Sequence, residues 1–339
     1  MIEMTLGEVA EIVGGRLVAA DPAAGVTGSV EFDSREVTRG GLFLALPGEH
    51  VDGHDYVSAA VANGALAALV TRPVDGPRIE IEDGFAALAA LAGAVVRRLP
   101  DATVIGVTGS SGKTSTKDLL AQLLARTGRT VAPPGSFNNE LGHPYTVLRA
   151  ETDTRFLVLE TSARGIGHIA YLTRIAPPHV GVVLNVGSAH LGEFGSREAI
   201  AQAKGELVEA LPTDGVAVLN ADDPLVRAMA ERTAARIVTV GESADADVRA
   251  EAVTLDDRGR ASFDLVCGNG RAAVTLGLVG AHHVGNALAA AAVALECGMS
   301  LDDTADALTA ARPVSRWRME LTERADGVLV VNDAYNANP

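Results

Sequence analysis

Residues 106–115, GVTGSSGKTS, decide how the chain is expected to fold. They follow an apolar strand, TVIGV (residues 103–107), and precede a helix predicted over 116–125. A glycine-rich loop between a strand and a helix N-terminus offers backbone N–H groups that can cradle phosphates. Lys113 is expected to reach the outer phosphates, and the Thr114 hydroxyl is expected to bind Mg²⁺. The stretch therefore predicts a phosphate site in an α/β domain.

The loop departs from the strict P-loop pattern at one position, because Val107 stands where that pattern has glycine. The shorter Thr-Gly-x-x-Gly-Lys-Thr version is intact. The alternative interpretation, a glycine-rich turn without a ligand, leaves the flanking strand and helix unexplained. The predicted phosphate-binding residues are Thr108, Gly109, Ser110, Ser111, Gly112, Lys113, Thr114 and Ser115.

Outward from this loop, apolar runs alternate with helical patterns. The runs FLVLE (156–160), VGVVLNV (180–186) and GVAVLN (215–220) are typical of strands buried on both faces. Crossover helices between such strands predict a mostly parallel sheet that is covered on both sides. Residues 263–266 and 274–278 favour a hairpin added at one edge. The fold class predicted is α/β, with a P-loop central domain.

Two boundaries divide the chain into three predicted domains. Leu99-Pro100-Asp101 closes a small N-terminal α/β domain (1–100), and ARPVSRW (311–317) closes the central domain (101–312). In 313–339 a strand runs into the loop DAYNANP and nothing follows it. We expect this last segment to be the start of a third domain that has been cut away.

Composition excludes several classes of protein. With 339 residues, 21% charged, the chain is too long for one ordinary core and too apolar for a disordered protein. The net charge of −15 disfavours nucleic acid and anionic membranes as partners. We find neither a secretory signal nor a transmembrane segment in the sequence. Two isolated cysteines, Cys267 and Cys297, fit a reducing cytoplasm and no disulfide framework.

Further candidate residues follow the predicted strands. Glu160 and His190 fall at the carboxyl ends of strands, the edge that also carries Lys113, and such convergence favours metal ligation over ordinary structural roles. Arg164 lies among glycines, where a cation can grip a carboxylate or phosphate, although alone it resembles a surface arginine. Lys204 falls on an apolar helix stripe; a bare ammonium there is costly unless paired or modified, and snorkelling is the alternative.

The chain carries eight recognisable motifs in order: FDSREVTRGGLFLALPGEHVDGHDY, GVTGSSGKTSTK, GSFNNELGHPYTVL, LVLETSARGIGHI, VLNVGSAHLGEFGS, AQAKGEL, GAHHVGNALAA and NDAYNANP. Together they resemble the Mur ligase family, the cytoplasmic ATP-dependent amide ligases of peptidoglycan synthesis, and the resemblance covers essentially the whole chain. Within the family, SFNNELGHP and DAYNANP resemble the branch that adds a D-alanyl-D-alanine dipeptide to a UDP-N-acetylmuramoyl-tripeptide.

The resemblance implies a role for each matching residue. Lys113 and Thr114 would hold ATP and Mg²⁺, Glu160 would take the same metal, and His190 with a carbamylated Lys204 would serve a second Mg²⁺. The remaining implied contacts are Asn286 and His282 to adenine, Arg318 and Asp333 to the nucleotide, Asn138, Asn139 and Arg164 to the sugar-peptide, and Ser34, Arg35, Asp52, Gly53 and His54 to UDP. Lys113, His190, Lys204 and Arg164 would be the catalytic set.

The chemistry of these residues agrees with an amide ligase that works through an acyl phosphate. A folylpolyglutamate-type ligase shares the P-loop but leaves the UDP-type first domain unexplained. A nucleotide-dependent switch gives His190 and Lys204 no role. The third residue of the tripeptide stays open between meso-diaminopimelate and lysine, and we expect a monomer. The stop at Pro339 implies that the chain by itself ligates slowly or not at all.

Overall fold

The computed structural model describes residues 1–188 and 191–336, with the side chains of Leu191 and Glu193 excepted. By its internal contacts the chain forms two compact units, residues 1–101 with 140–154 and residues 102–139 with 155–339. We call them unit 1 and unit 2.

The strands, in chain order, are β1 (Met4–Thr5), β2 (Arg16–Val18), β3 (Gly25–Val26), β4 (Val30–Glu31), β5 (Leu42–Leu44), β6 (Ala67–Val70), β7 (Arg78–Glu80), β8 (Thr103–Thr108), β9 (Arg129–Val131), β10 (Thr154–Glu160), β11 (Val180–Val183), β12 (Val216–Asn220), β13 (Arg236–Gly241), β14 (Val248–Leu255), β15 (Arg260–Cys267), β16 (Gly270–Val279), β17 (Glu320–Glu323) and β18 (Leu329–Asn332).

The α-helices are α1 (Leu6–Ile12), α2 (Val57–Ala62), α3 (Gly84–Arg97), α4 (Lys113–Leu124), α5 (Gly142–Val147), α6 (His168–Ile175), α7 (Leu191–Phe194), α8 (Arg197–Glu209), α9 (Pro224–Arg227), α10 (His283–Glu296) and α11 (Leu301–Ala310); short 3₁₀ helices cover Gly53–Tyr56 and Ala228–Arg232. In the described part of the chain, no helix has the length and apolar character needed to cross a membrane.

Unit 1 is a small α/β unit with a five-stranded sheet in the order β2-β7-β6-β5-β4. Its strands run parallel except for β2, which pairs antiparallel with β7. The capping box predicted at Thr5 and Glu8 opens α1. Helix α5 packs against α3, so residues 140–154 belong to this unit and not to the central domain in which the sequence boundaries placed them.

Unit 2 contains a nine-stranded sheet in the order β16-β15-β14-β13-β12-β11-β8-β10-β9. The strands from β10 through β14 pair in parallel, whereas β14, β15 and β16 pair antiparallel. This confirms the mostly parallel sheet and the hairpin at its edge. The strands β8, β10 and β11 lie side by side, so their carboxyl ends meet at one edge.

Helices cover both faces of this sheet. On one face α4 and α10 pack against each other and against the sheet, and α10 does so with a row of buried alanines from Ala287 to Ala294. On the other face α8 lies close to β8, because a Cβ on Gly106 would stand 2.7 Å from the Leu207 Cδ1 atom. Glycine in mid-strand is thus required by the close approach of the helix.

The segment after α11 belongs to unit 2 by its contacts. It contains the antiparallel pair β17–β18, whose apolar residues Leu329, Val330 and Val331 are 42%, 43% and 48% exposed. The boundary predicted at 312 falls where α11 has just ended. That residues 313–339 begin a further domain stays a prediction.

The packing of α4 gives a test of the core. Leu120, fully buried on the sheet face of α4, should cost about 2–5 kcal/mol of unfolding free energy when replaced by alanine, because a cavity is left behind. Leu255→Ala is the matched control, since this side chain is 53% exposed and its loss should change stability by less than about 0.5 kcal/mol. Urea unfolding followed by circular dichroism measures both, and equal effects would contradict the packing described.

Candidate functional site

The N-terminus of α4 is built to receive an anion. Gly112 holds φ at +80°, a left-handed conformation that suits glycine, and α4 begins at the next residue. Within the described residues no side chain caps this helix end. The Lys113 ammonium folds back and donates to the Gly109 carbonyl, 2.8 Å away. Because the first N–H groups of a helix lack partners in the helix, phosphate oxygens are suitable acceptors for them.

Asn185, two residues after the end of β11, fixes the shape of the loop. Its backbone carbonyl accepts from the Ser110 N–H at 3.1 Å, and its side-chain oxygen accepts from the Ser111 N–H at 3.0 Å. The Ser110 hydroxyl in turn accepts from the Gly187 N–H at 2.9 Å. The phosphate loop is therefore held by the neighbouring strand end before any ligand arrives.

A cavity of about 460 Å³ opens at this loop. That volume suits a small-molecule ligand. Its lining combines the loop with residues from the ends of β10 and β11, from α10 and from the segment after α11. The predicted residues that line it are Ser110, Ser111, Gly112, Lys113, Thr114, Ser115, Asn138, Glu160, Arg164, His282, Asn286, Arg318 and Asp333.

Glu160 and Thr114 form the oxygen-rich end of this cavity. The carboxylate of Glu160 is 1% exposed and accepts from the Thr114 hydroxyl at 3.0 Å and from the Asn138 amide at 2.8 Å. A hydroxyl and a buried carboxylate beside a phosphate loop are hard oxygen donors, which fit Mg²⁺ held together with phosphates. In the part of the chain described here, no cluster of three His, Cys, Asp or Glu side chains forms an all-protein metal cage.

Burial perturbs the two lysines of this region. It lowers the pKa of Lys113; the nearby Glu160 carboxylate opposes this change and the Arg318 cation reinforces it. Burial together with the Lys113 cation lowers the pKa of Lys204 to about 7. Lys204 is 6% exposed on α8, so it lies on the buried stripe as predicted and does not snorkel to water.

A pair of histidines and Asn286 form the part of the cavity that α10 contributes. A Cβ on Gly112 would stand 2.4 Å from the Asn286 Oδ1 atom, so the phosphate loop passes directly over this amide. The rings of His282 and His283 lie 4.2 Å apart between centroids. Burial lowers the pKa of His282, and burial with the neighbouring His282 lowers that of His283 to about 4. Both rings are thus neutral at physiological pH.

Arg318 reaches the cavity from the segment after α11. Its guanidinium carbon lies 4.2 Å from the centre of the Tyr335 ring, a cation–π contact. The Met319 N–H donates to the Asp333 carboxylate at 3.1 Å, and the Tyr335 hydroxyl hydrogen-bonds the Ser136 hydroxyl. Arg318 and Asp333 therefore line the same cavity, and their contact with a nucleotide stays a prediction.

The residues expected to contact UDP lie in unit 1 and are tied to one another. Asp52 accepts from the backbone and Nδ1 of His54, whose Nε2 accepts from the Thr71 N–H, and this network holds the pKa of Asp52 well below its usual range. Arg35 pairs with Asp33 through the guanidinium. Gly53 opens the 3₁₀ helix, and Ser34 is buried.

Some predicted residues lie apart from the cavity lining. Thr108, Gly109, Asn139 and Lys204 do not line it, and His190 lies outside the described residues. Conversely, the sequence interpretation missed several residues that do. All of them except Met319 lie within the motifs quoted above, so motif membership was the available signal, and Asn185 was also marked by its position after a strand. The missed lining residues are Ser136, Ser162, Ala163, Asn185, His283, Met319, Tyr335 and Asn336.

Both units contain residues that match models of one protein family. Residues 107–294 match the Mur ligase middle domain, and residues 26–96 match the catalytic domain of the Mur ligase family.

Curated relatives match the whole chain. It is 56% identical over 366 residues to the UDP-N-acetylmuramoyl-tripeptide–D-alanyl-D-alanine ligase of Mycobacterium tuberculosis H37Rv, covering 100% of this chain and 72% of that protein. The ligase of the same name from Escherichia coli K12 is 36% identical over 344 residues, with 100% of this chain and 74% of that protein covered.

Solved structures agree. A MurF crystal structure from Acinetobacter baumannii superposes with a TM-score of 0.90 at 35% identity and covers 99% of this chain and 74% of that one. The crystal structure of MurF ligase from Thermotoga maritima in complex with ADP superposes with a TM-score of 0.80 at 34% identity. The match covers 92% of this chain and 72% of that one.

The hold of Asn185 on the phosphate loop can be tested by ligand affinity. Asn185→Ala removes the side-chain bonds to Ser111 and should weaken Mg·ADP binding about 3- to 10-fold, because the loop loses its preformed shape. Asn63→Ala is the matched control: it removes a similar amide bond, to the Ser34 carbonyl in unit 1, and should leave ADP affinity unchanged. Isothermal titration measures both, and an unchanged affinity in Asn185→Ala would refute the role.

Proposed function

Because the chain belongs to the Mur ligase family, we propose that it is an ATP-dependent amide ligase that joins D-alanyl-D-alanine to a UDP-N-acetylmuramoyl-tripeptide in peptidoglycan precursor synthesis. One observation carries the proposal from the geometry: the phosphate loop and the Thr114–Glu160 pair share a cavity with Asn138 and Arg164, which suit the carboxylate end of a substrate. The phosphates of ATP and the carboxylate to be activated can therefore meet in one place.

The reaction needs two transfers. The substrate carboxylate oxygen attacks the γ-phosphorus of ATP, which gives an acyl phosphate and releases ADP. The amine of the dipeptide then attacks the acyl carbon; inorganic phosphate leaves, the amine nitrogen loses a proton, and an amide remains. Bound Mg²⁺, held by Thr114 and Glu160, would neutralise phosphate charge.

Each side chain has a distinct task in these steps. Lys113, whose ammonium now contacts a loop carbonyl, is free to exchange that weak partner for phosphate oxygens, which are stronger acceptors. Arg164, exposed at the cavity, would orient the reacting carboxylate. Asn286 and His282, at the α10 end, would contact adenine, and Asn138 and Asn139 the sugar-peptide. His190 and Lys204 would serve a second metal near the acyl group.

Unit 1 would bind the uridine diphosphate through Ser34, Arg35 and the loop around Asp52, Gly53 and His54. The charge of −15 supports small-molecule substrates rather than nucleic acid as partners. We propose further that the protein works as a monomer in the cytoplasm, where these precursors would be consumed.

The Lys113→Ala variant tests the proposal in a direct binding experiment. Titration calorimetry should show that the unaltered chain binds both UDP-N-acetylmuramoyl-tripeptide and a non-hydrolysable ATP analogue with Mg²⁺. Lys113→Ala should lose at least about 10-fold in affinity for the analogue, since a charge-assisted phosphate contact disappears, and should keep its affinity for the UDP substrate. Binding of a folyl-glutamate in place of the UDP substrate, or equal loss of both ligands, would contradict the proposal.

We also propose that Lys204 carries a carbamate. With its pKa at about 7 the amine is largely neutral above that pH and can attack CO₂, which forms an N–C bond and releases one proton. The resulting anion would offer two oxygens to Mg²⁺, and the metal charge would offset the cost of burying the carbamate.

Isotope labelling detects this carbamate. With ¹³C-bicarbonate, Mg²⁺ and the ATP analogue, a carbamate carbon should appear in the NMR spectrum of the unaltered chain and fade as the pH falls through about 7, because the ammonium does not react. Lys204→Ala should abolish the signal. Lys117→Arg, which keeps the charge that pairs with Asp118, should retain it. A signal that persists in Lys204→Ala would assign the carbamate elsewhere and refute the proposal.

A further inference from the structure

We propose that Gln122 and Asp118 of α4 are positioning residues that place Arg318 at the nucleotide cavity. Helix α4 would then have two tasks. Its N-terminus would receive the phosphates, and its side chains would fix Arg318, which lines the same cavity from the segment after α11. This inference rests on the proposed function, because it concerns the nucleotide site of that reaction.

Gln122 clamps the chain just after α11. Its amide nitrogen donates to the Arg312 carbonyl at 3.0 Å, and its amide oxygen accepts from the Arg312 N–H at 3.0 Å. The amide nitrogen also donates to the Asp118 carbonyl one turn earlier in the helix, at 3.0 Å. A carboxamide is suited to this arrangement because it offers both a donor and an acceptor. Both backbone polar groups of Arg312, the N–H and the carbonyl, are thereby bonded to one side chain, as they would be bonded to a neighbouring strand in a sheet.

Asp118 holds the same segment three residues further on. One carboxylate oxygen accepts from the Ser315 N–H at 3.1 Å, and the other pairs with the ammonium of Lys117. Lys117 is itself 2% exposed and donates to the Pro133 carbonyl at 2.9 Å. Because the carboxylate is fixed on both sides, it is a rigid anchor for residue 315.

The two anchors lie on one stripe of α4. Residues four apart share a helix face, and Ser115, at the start of the same stripe, lines the nucleotide cavity. Ser115, Asp118, Gln122 and Arg318 all border a second, small recess between the helix and the segment. The helix thus links the phosphate loop to the anchored segment without any intervening loop.

Arg318 is three positions after Ser315, the residue that Asp118 anchors. The Cα atoms of the two residues can therefore be at most about 10 Å apart, the length of three extended residues. On either side of Arg318 the backbone is left-handed, with φ of 61° at Trp317 and 50° at Met319, although neither residue is glycine. Such conformations persist where the surroundings impose them. The Arg312 and Ser315 anchors on one side, and the Asp333 contact of Met319 on the other, supply that constraint.

A double-mutant cycle tests the inference. Gln122→Met keeps the side-chain volume and removes the clamp; it should weaken binding of the Mg²⁺-bound, non-hydrolysable ATP analogue about 3- to 10-fold with an unchanged melting temperature. In an Arg318→Ala background the same change should cost less than about 2-fold, because the clamp acts through the arginine. Hydrogen exchange of residues 312–319 should become faster in Gln122→Met. Arg126→Met, near the same helix end but in contact with the Asp306 carbonyl, is the matched control and should alter none of these readouts.

Each other outcome is decisive. Equal losses in both backgrounds would show that Gln122 supports the helix and not the arginine, and an unchanged affinity would remove the clamp from nucleotide binding; either overturns the inference while the proposed function stands. Failure of the unaltered chain to bind the analogue would instead overturn the proposed function, and the inference with it.

Discussion

The packing of α4 against the nine-stranded sheet and against α10 is the constraint on which the site depends. It buries Leu119, Leu120 and Leu123 and thereby fixes the helix N-terminus at the carboxyl ends of β8 and β11. Three groups that could meet a phosphate depend on the position of this helix: the loop before it, the Lys113 ammonium, and the Thr114 hydroxyl that donates to Glu160. The packing of the apolar core therefore sets the geometry of the polar site, since a shift of α4 would displace all of these groups together.

Two polar side chains hold the phosphate loop and the N-terminus of α4 in one geometry. Asn185 joins the phosphate loop to the neighbouring strand end, and the Glu160 carboxylate joins Thr114 to Asn138. Buried polar groups that are satisfied by one another in this way restrict the site to a single arrangement. Among the described lining residues, the cations Lys113, Arg164 and Arg318 face the carboxylates of Glu160 and Asp333, so the cavity offers positive groups to a polyanion although the whole chain is strongly negative.

The fold was predictable where a local pattern carried it. The loop GVTGSSGKTS fixed the strand–helix junction, and continuous apolar runs predicted parallel strands. The assignment of 140–154 to the first unit was not predictable, because it depends on α5 packing against α3, a contact between segments distant in sequence. Of the residues that line the cavity, Asn185, Ser136 and His283 were missed although they lie within the quoted motifs, because motif membership does not show which side chains of a motif the fold turns toward the loop. The burial of Lys204 was predictable from its place on an apolar stripe, whereas its role stays a prediction.

The alanine-rich face of α10 determines how close α10 lies to α4, and thereby the size of the cavity at their N-termini. Small side chains let α10 lie directly against α4, with Ala287, Ala290 and Ala291 fully buried. Asn286, near the start of α10, lies next to Gly112 of the phosphate loop, so the α10 part of the cavity and the phosphate loop belong to two helices that pack side by side. Their separation is set by the core and not by flexible loops. The size of the cavity at this point is therefore a property of the core packing.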